Sequence, residues 1–280
     1  MLVYLNGRFV PEAAATVSVF DRSFLYGDGL FEAMRVYGGK PFRWADHLER
    51  LRRGAAFLKI QLPFSENDLL VAARQLIKEN ALPESLLRIT LSRGVGRRGY
   101  SPAGADHPSL VITLHPAPDA DGQPRLAGRV VTASFRLPAN ETLAQFKTCN
   151  KLPQVMARAE ADAAGADEAL LLNTNGDIVE GSSSNLFWIA GGAVCTPPLT
   201  SGILAGVTRI VVLELCGKLG LPCREASITP AELMRAQGAF LSLSSWGILE
   251  ITSIDGGVMP GSAITARLNA AYGDMIKGGQ

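Results

Sequence analysis

Glu180-Gly181-Ser182-Ser183-Ser184-Asn185-Leu186-Phe187-Trp188 sets a carboxylate at a strand end, a run of hydroxyls in a turn, and then an apolar stretch with the residue types of a second strand. Taken alone it is either an ordinary turn or a place where Glu180 meets a protonated ring nitrogen while the hydroxyls and Asn185 hold the rest of a ligand. Upstream, one of the seven lysines of the chain stands amid mostly uncharged residues in Phe146-Lys147-Thr148-Cys149-Asn150. A partly buried lysine loses its proton more easily, as an amine nucleophile requires, and a solvated loop lysine is the plain alternative. Downstream, Ser201-Gly202-Ile203-Leu204-Ala205-Gly206-Val207-Thr208 leads into a helix. The amides of a helix start suit a phosphate, although every helix has such an end.

The remaining sequence supplies a mixed α/β frame around these segments. Residues 2–10 read as two strands turning at Asn6-Gly7. From Trp44, the apolar positions Leu48, Leu51, Ala55 and Leu58 recur at helical spacing, with His47, Arg50 and Arg53 on the other face. A second helix starts at Ser65 with Asp68 as capping partner, and residues 86–92 and 109–115 read as strands flanking the Gly- and Arg-rich loop 93–104. Pro, Gly and Asp then cluster from Pro116 to Pro124. That break predicts a small domain over 1–118, a linker over 119–125, and a larger domain over 126–280 carrying Lys147. The larger domain reads as a strand at 129–135, an Ala-rich helix at 152–164, a hairpin turning at Asn175-Gly176, a strand at 185–189 and a helix from Gly206 to Gly220. A capped turn at Thr229-Pro230 with Glu232, strands near Phe240 and Ile251, and a helix from about Ser262 complete it.

Composition narrows the function. The 280 residues, 47% hydrophobic, 19% charged and 7% aromatic, fill one large core or two modest ones and exclude disorder, collagen and coiled coil. Twenty-seven Lys and Arg against 26 Asp and Glu leave a net charge of +1, so no global field draws nucleic acid or an anionic membrane. The expected partner is a small molecule or another protein chain. The amino terminus lacks a basic run followed by a long apolar stretch, and no segment approaches the roughly 20 apolar residues of a spanning helix, so a cytoplasmic location is expected. Cys149, Cys195, Cys216 and Cys223 form no CxxC pair and read as buried thiols. With three histidines and no HExxH or GxSxG string, no metal site and no serine hydrolase is expected. Gly94-Val95-Gly96-Arg97-Arg98-Gly99 matches a dinucleotide-binding string literally, but Tyr100-Ser101-Pro102 denies the helix that string must open.

In this order and spacing, Asp46-His47-Leu48-Glu49-Arg50-Leu51, Phe146-Lys147-x-x-Asn150, Asp167-Glu168-Ala169, Glu180-Gly-Ser-Ser-Ser-Asn185 and Gly206-Val207-Thr208-Arg209 resemble the class IV aminotransferases, the fold type IV pyridoxal phosphate enzymes. The resemblance runs from Asp21-Arg22 and Tyr26-Gly27-Asp28-Gly29-Leu30-Phe31-Glu32 to Ser244-Ser245, essentially the whole chain. It implies a two-domain, D-amino-acid aminotransferase-like α/β fold with pyridoxal 5'-phosphate between the domains. By that resemblance Lys147 is the catalytic residue, forming a Schiff base with the cofactor and moving the proton between the substrate α-carbon and cofactor C4'. Glu180 pairs with the pyridinium nitrogen and keeps the ring an electron sink. Arg50, the helix start at Gly206, Val207 and Thr208, and the hydroxyls of Ser244 and Ser245 grip the phosphate, with Asn185 as a further cofactor contact.

The resemblance also assigns substrate recognition to the small domain and to a loop of a neighbouring subunit, which implies a homodimer. The candidates are Phe31, Arg35, Arg93, Arg97, Arg98 and Tyr100. Arg98 and Tyr100 stand where D-amino-acid transaminases place an arginine and a histidine, and the tyrosine departs from that pattern. The implied reaction is ping-pong transfer from an amino donor, a branched-chain or D-amino acid or an amine, to a 2-keto acid acceptor. Arg93-Gly-x-Gly-x-Arg98-Gly-Tyr100 also resembles aminodeoxychorismate lyase, which releases 4-aminobenzoate and pyruvate. Against that, Phe31-Glu32-Ala33-Met34-Arg35 and Thr148-Cys149-Asn150-Lys151-Leu152-Pro153 side with the transaminases. A non-catalytic protein that binds the cofactor is a third reading. Cys149 reads as a small residue supporting the lysine loop, with a redox-sensitive neighbour as the alternative.

Overall fold

The computed structural model describes residues 1–118 and 128–278. Asn6 (φ 48°) and Gly7 (φ 88°) turn Leu2–Leu5 back onto Arg8–Pro11, the positive φ values that this dipeptide tolerates. The hairpin is one side of an antiparallel sheet ordered Arg8–Pro11, Leu2–Leu5, Ser109–Pro116, Ser85–Ser92, Gly29–Tyr37 and Lys40–Pro41. Side chains alternate across a strand, so Leu30, Met34 and Val36 face the same way and meet Leu87, Ile89 and Leu91 of the neighbouring strand. Over that face pack the helices Trp44–Leu58, through Leu48, Leu51 and Ala55, and Glu66–Glu79, through Leu69, Ala73 and Leu76. The second helix is closed by the expected reciprocal cap of Ser65 and Asp68.

The nine-residue strand Gly29–Tyr37 is absent from the sequence reading. Its alternation is masked because Glu32, on the apolar face, is a carboxylate that finds partners inside the protein. The loop after Ser92 contains no helix, in keeping with the rejected dinucleotide string.

A second unit is built on a larger mixed sheet. Its described strands run Cys223–Glu225, Ala193–Thr196, Asn185–Ala190, Ile178–Gly181, Glu168–Asn173, Arg129–Leu137, Ser253–Ile254 and Gly257–Val258. Ala239–Leu243 also pairs with Asn185–Ala190 and carries Gly247–Glu250 on its far side. Three described pairs are parallel, Ser253–Ile254 beside Arg129–Leu137 being one, and the other two are each linked through a helix, as a crossover requires. Leu152–Ala163 lies between Arg129–Leu137 and Glu168–Asn173, and Val207–Lys218 lies between Ala193–Thr196 and Cys223–Glu225. Glu168–Asn173 is buried at every residue, with Leu170 and Leu172 in one apolar cluster and Leu171 in another, so both faces are covered. Among the described residues no helix is long and apolar enough to cross a membrane.

The two compact units comprise Met1–Gln123 with Phe146–Asn150, and Pro124–Gln145 with Lys151–Gln280. The linker expected at 119–125 lies outside the described residues. Lys147, expected in the larger domain, sits with the first unit for a main-chain reason. The Phe31 N–H donates to Lys147 O and the Cys149 N–H to Gly29 O, both at 2.9 Å. Leu30 and Thr148 form an antiparallel bridge between these bonds, so the lysine segment is an extra rung on the Gly29 end of the strand.

Candidate active site

The first unit buries three polar side chains on the helix-facing side of Gly29–Tyr37. Glu32 is 0% exposed, His47 1% and Arg50 8%. Arg50 donates Nε to Glu32 Oε1 at 2.8 Å and Nη2 to Oε2 at 2.6 Å, a two-pronged pair that fixes the plane of the guanidinium. His47 Nδ1 lies 2.6 Å from Oε2, and an ionised carboxylate only accepts, so Nδ1 carries the hydrogen. His47 and Arg50 share a helix face because they are three residues apart. His47 therefore does not belong to a wet face, as its spacing from the apolar positions suggests. Burial works against ionisation of Glu32, but the charge and hydrogen bonds of Arg50 and His47 outweigh it and hold its pKa at about 2. For His47 burial wins over the pull of Glu32, and its pKa falls.

On the other face of the same strand, Lys147 Nζ lies 4.8 Å from the centre of the Phe31 ring. The guanidinium carbon of Arg88 lies 3.8 Å from that ring centre, and Arg88 Nε donates to Thr90 Oγ1 at 3.1 Å. Burial lowers the Arg88 pKa below its ordinary value. An amine and a half-buried guanidinium thus share one aromatic ring. Cys149 supports this arrangement through its backbone N–H.

In the second unit Glu180, Asn185 and Ser242 are direct partners across three adjacent strands and form one row on a sheet face. Glu180 Oε2 accepts from the Leu204 N–H at 3.0 Å, and Asn185 Nδ2 donates to Leu204 O at 2.9 Å. Glycine at 206 permits this approach, since a Cβ there would meet Asn185 Oδ1 and the Asn185 side chain would have to shift. The helix Val207–Lys218 starts immediately afterwards, with Gly206 as an N-cap that provides no side-chain acceptor and with Val207 and Thr208 buried in the first turn. Ser242 Oγ is buried without a hydrogen-bond partner. Ser244 and Ser245 are half-buried in the turn after the same strand.

The hydroxyl run has a different employer from the one its sequence leaves open. Glu168, buried, accepts from the Ser182 and Ser183 N–H groups at 3.1 Å each, from Ser183 Oγ at 2.9 Å, from Ser184 Oγ at 3.1 Å and from Ser182 Oγ. The serines hold the turn between Glu180 and Asn185 through this one carboxylate. Within the second unit, a carboxylate oriented by a backbone amide, a helix start without a side-chain cap and an orphaned serine hydroxyl fit a protonated ring nitrogen and a phosphate. Within the first, an amine fits an aldehyde.

A sequence profile described as amino-transferase class IV matches residues 29–254. The chain belongs to the class IV aminotransferases. A putative branched-chain-amino-acid aminotransferase of Methanocaldococcus jannaschii is 35% identical over 98% of this chain and 96% of its own. The aminodeoxychorismate lyase of Bacillus subtilis is 31% identical over 99% of this chain and 95% of its own. The crystal structure of a branched-chain aminotransferase from Thermoproteus uzoniensis with norvaline superposes with a TM-score of 0.91 at 33% identity, over 99% of this chain and 95% of that one. The mixed α/β architecture described above is the fold of this family of enzymes.

In this class IV aminotransferase the expected substrate residues scatter. Phe31 stands beside Lys147, as described. Arg35, two alternations along the same face, lies 3.5 Å from Glu84 and over the Tyr37 ring. Arg93 is committed internally: Nε donates to Asp28 at 2.8 Å, Nη2 to Leu58 O at 2.8 Å and Nη1 to Lys59 O at 3.2 Å. It clamps the end of Trp44–Leu58 to the Asp28 turn, which accounts for its burial without a ligand. Arg97 and Arg98 are solvent-exposed, and Tyr100, 88% exposed, leans edge-on against Tyr26. Their loop hangs from buried Arg22, which donates to the carbonyls of Gly99, Tyr100 and Ser101 at 3.0–3.1 Å. The structure singles out two residues that the sequence reading does not name, Arg88 and Ser242, and gives a role to Glu168, which that reading names only within Asp167-Glu168-Ala169. Arg88 is the only charged residue of Ser85–Ser92, which is a legible signal. Ser242 is two residues from Ser244 and so on the strand face of Asn185. The role of Glu168 gives no local signal, because its partners are fourteen to sixteen residues away.

Proposed function

We propose that this chain is a pyridoxal 5'-phosphate-dependent aminotransferase that moves an amino group between a branched-chain amino acid and a 2-keto acid. The observation that carries this reading is the pairing of the Lys147 amine and the Arg88 guanidinium on the Phe31 ring. When bound, the cofactor supplies an aldehyde that takes the amino group and a ring that draws electrons from the substrate α-carbon. Lys147 holds the cofactor and moves the proton between the α-carbon and C4'. Glu180, steadied by the Leu204 N–H, keeps the ring nitrogen protonated. The first-turn amides at Val207 and Thr208, with Arg50, Ser244 and Ser245, take the phosphate. Asn185 holds the Leu204–Gly206 turn that places those amides. Arg88 takes the substrate carboxylate, and the Phe31 ring packs against an aliphatic side chain.

A homodimer is part of the proposal. Val17, Val19, Phe20, Phe24 and Leu25 expose their side chains along one short segment, an apolar surface of the kind that a second subunit covers. The motif shared with the lyase begins at Arg93, and that side chain is spent on the Asp28 clamp.

The test is a half-reaction screen of the purified, cofactor-loaded protein with L-valine, L-leucine, L-glutamate, D-alanine and aminodeoxychorismate offered separately. The expected result is loss of the visible cofactor band with L-valine or L-leucine and its return with 2-oxoglutarate, with Arg88→Ala raising the donor KM by about tenfold or more. Reaction with D-alanine alone overturns the substrate class. Reaction with aminodeoxychorismate alone, giving 4-aminobenzoate and pyruvate, makes the protein the lyase.

A further inference from the structure

The strand Asn185–Ala190 has a second face. Asn185 and Trp188 stand three residues apart along it, so their side chains leave on opposite sides of the sheet. On the Trp188 side, Trp188, Cys195 and Arg224 are direct partners across three adjacent strands and form a row. The edge strand that carries Arg224 opens with Cys223, exposed where its sequence suggests a buried thiol. The short helix Pro230–Leu233 and the residues after it line the other side of a cleft of about 220 Å³. Its apolar lining is the Trp188 indole, 4% exposed, with half-buried Ala190 and Ala226. Its charged lining is Arg224, Arg235 and Glu232.

Arg224 Nε donates to the sulfur of fully buried Cys195 at 3.3 Å, which ties the guanidinium to the row by its inner nitrogen and leaves the two terminal nitrogens for another acceptor. Among the described residues neither Arg224 nor Arg235 forms an ion pair. The carboxylates nearby are engaged elsewhere. Glu232 Oε2 accepts from the Thr229 N–H at 2.9 Å and from Thr229 Oγ1 at 2.8 Å, the cap of its helix, and Glu225 holds Arg209. We propose that this cleft is a binding site for a short aliphatic monocarboxylate. An ionised carboxylate offers two acceptor oxygens to the paired N–H groups of a guanidinium. A hydrocarbon tail of a few carbons then covers the indole and the two alanines and takes their apolar surface out of water. The cleft is smaller than the about 300 Å³ at which pockets for drug-sized ligands begin, which keeps the tail short. A bare inorganic anion answers the guanidiniums but leaves the apolar lining wet. The cleft uses neither Lys147 nor Glu180 and lies on the opposite sheet face from Asn185, so it stands apart from the proposed transamination.

The experiment titrates isovalerate into the full-length, cofactor-loaded protein labelled with 5-fluorotryptophan. Its three fluorine signals, from Trp44, Trp188 and Trp246, are assigned by replacing each tryptophan with phenylalanine in turn. The expected result is a saturable shift of the Trp188 signal, with sodium sulfate at equal ionic strength and isoamylamine leaving that signal in place. Arg224→Gln combined with Arg235→Gln raises the half-saturating concentration by about tenfold or more. Ala190→Leu, which fills the cleft and keeps both guanidiniums, weakens binding likewise, and Lys147→Ala leaves the Trp188 response unchanged. A response confined to Trp246, beside the Ser244-Ser245 turn, overturns the proposal. So does a Trp188 shift that grows without saturating, an equal response to sulfate, or a half-saturation that neither the arginine pair nor Ala190→Leu moves.

Discussion

Replacing Glu32 by glutamine tests whether the buried trio with His47 and Arg50 holds the first unit together. A carboxyl with an ordinary pKa of 4.5 is held at about 2 in the folded protein. That difference corresponds to about 3 kcal/mol of folded-state preference for the ionised form. The sign follows from the direction. Folding lowers the pKa, so the unfolded chain takes up this proton first as the pH falls. The contribution is complete above about 4.5 and disappears between there and about 2. Glutamine cannot accept from both donors of Arg50 and leaves a buried guanidinium short of its counter-charge, a change that costs about 3–5 kcal/mol in buried pairs. Glu32→Gln is therefore expected to lose about 3 kcal/mol at neutral pH, with the gap from the parent protein narrowing steadily in acid. Urea unfolding followed by tryptophan fluorescence reads this, since Trp44 opens the helix that carries His47 and Arg50. A loss below about 1 kcal/mol at neutral pH, or an equal loss at about pH 3, refutes the account.

The other expectations are brief. Lys147→Ala leaves the fold unchanged, because the segment is pinned by main-chain bonds, and lowers turnover by about a thousandfold or more with loss of the visible cofactor band; circular dichroism and an amine-transfer assay check both. Glu168→Ala orphans the donors of Ser182, Ser183 and Ser184, and thermal unfolding should show a loss of about 2–3 kcal/mol together with weaker cofactor retention on dialysis. Arg93→Ala should destabilise the protein by about 2 kcal/mol while leaving the donor KM within about twofold of the parent value. A KM increase without a stability loss returns Arg93 to the substrate site.

Local chemistry was legible where it depends on neighbours in the chain. The Asn6-Gly7 turn, the caps at Ser65 and Thr229, and the helix opening at Gly206 follow from residues a few positions apart. Residues joined by the sheet were harder to read. Gly29–Tyr37 does not read as a strand because Glu32 breaks its apolar alternation, and the ion partners of Glu32 lie fifteen and eighteen residues on. Lys147 was legible as a candidate amine, but not its attachment to the first unit, which rests on main-chain hydrogen bonds that any residue types can make. Arginines were the least legible of all. Arg93 and Arg88 both look like charges near a strand, and only their partners separate a clamp from a guanidinium poised over an aromatic ring.

The main-chain anchoring of the lysine segment bears on how such a protein can change its trade. Phe31 N–H and Gly29 O fix where the amine begins, and both belong to the backbone. A mutation at Phe31 therefore alters the ring beside the Lys147 amine without relocating the segment that carries that amine. On the proposed reaction, donor preference can change one side chain at a time while the main chain keeps the amine in place.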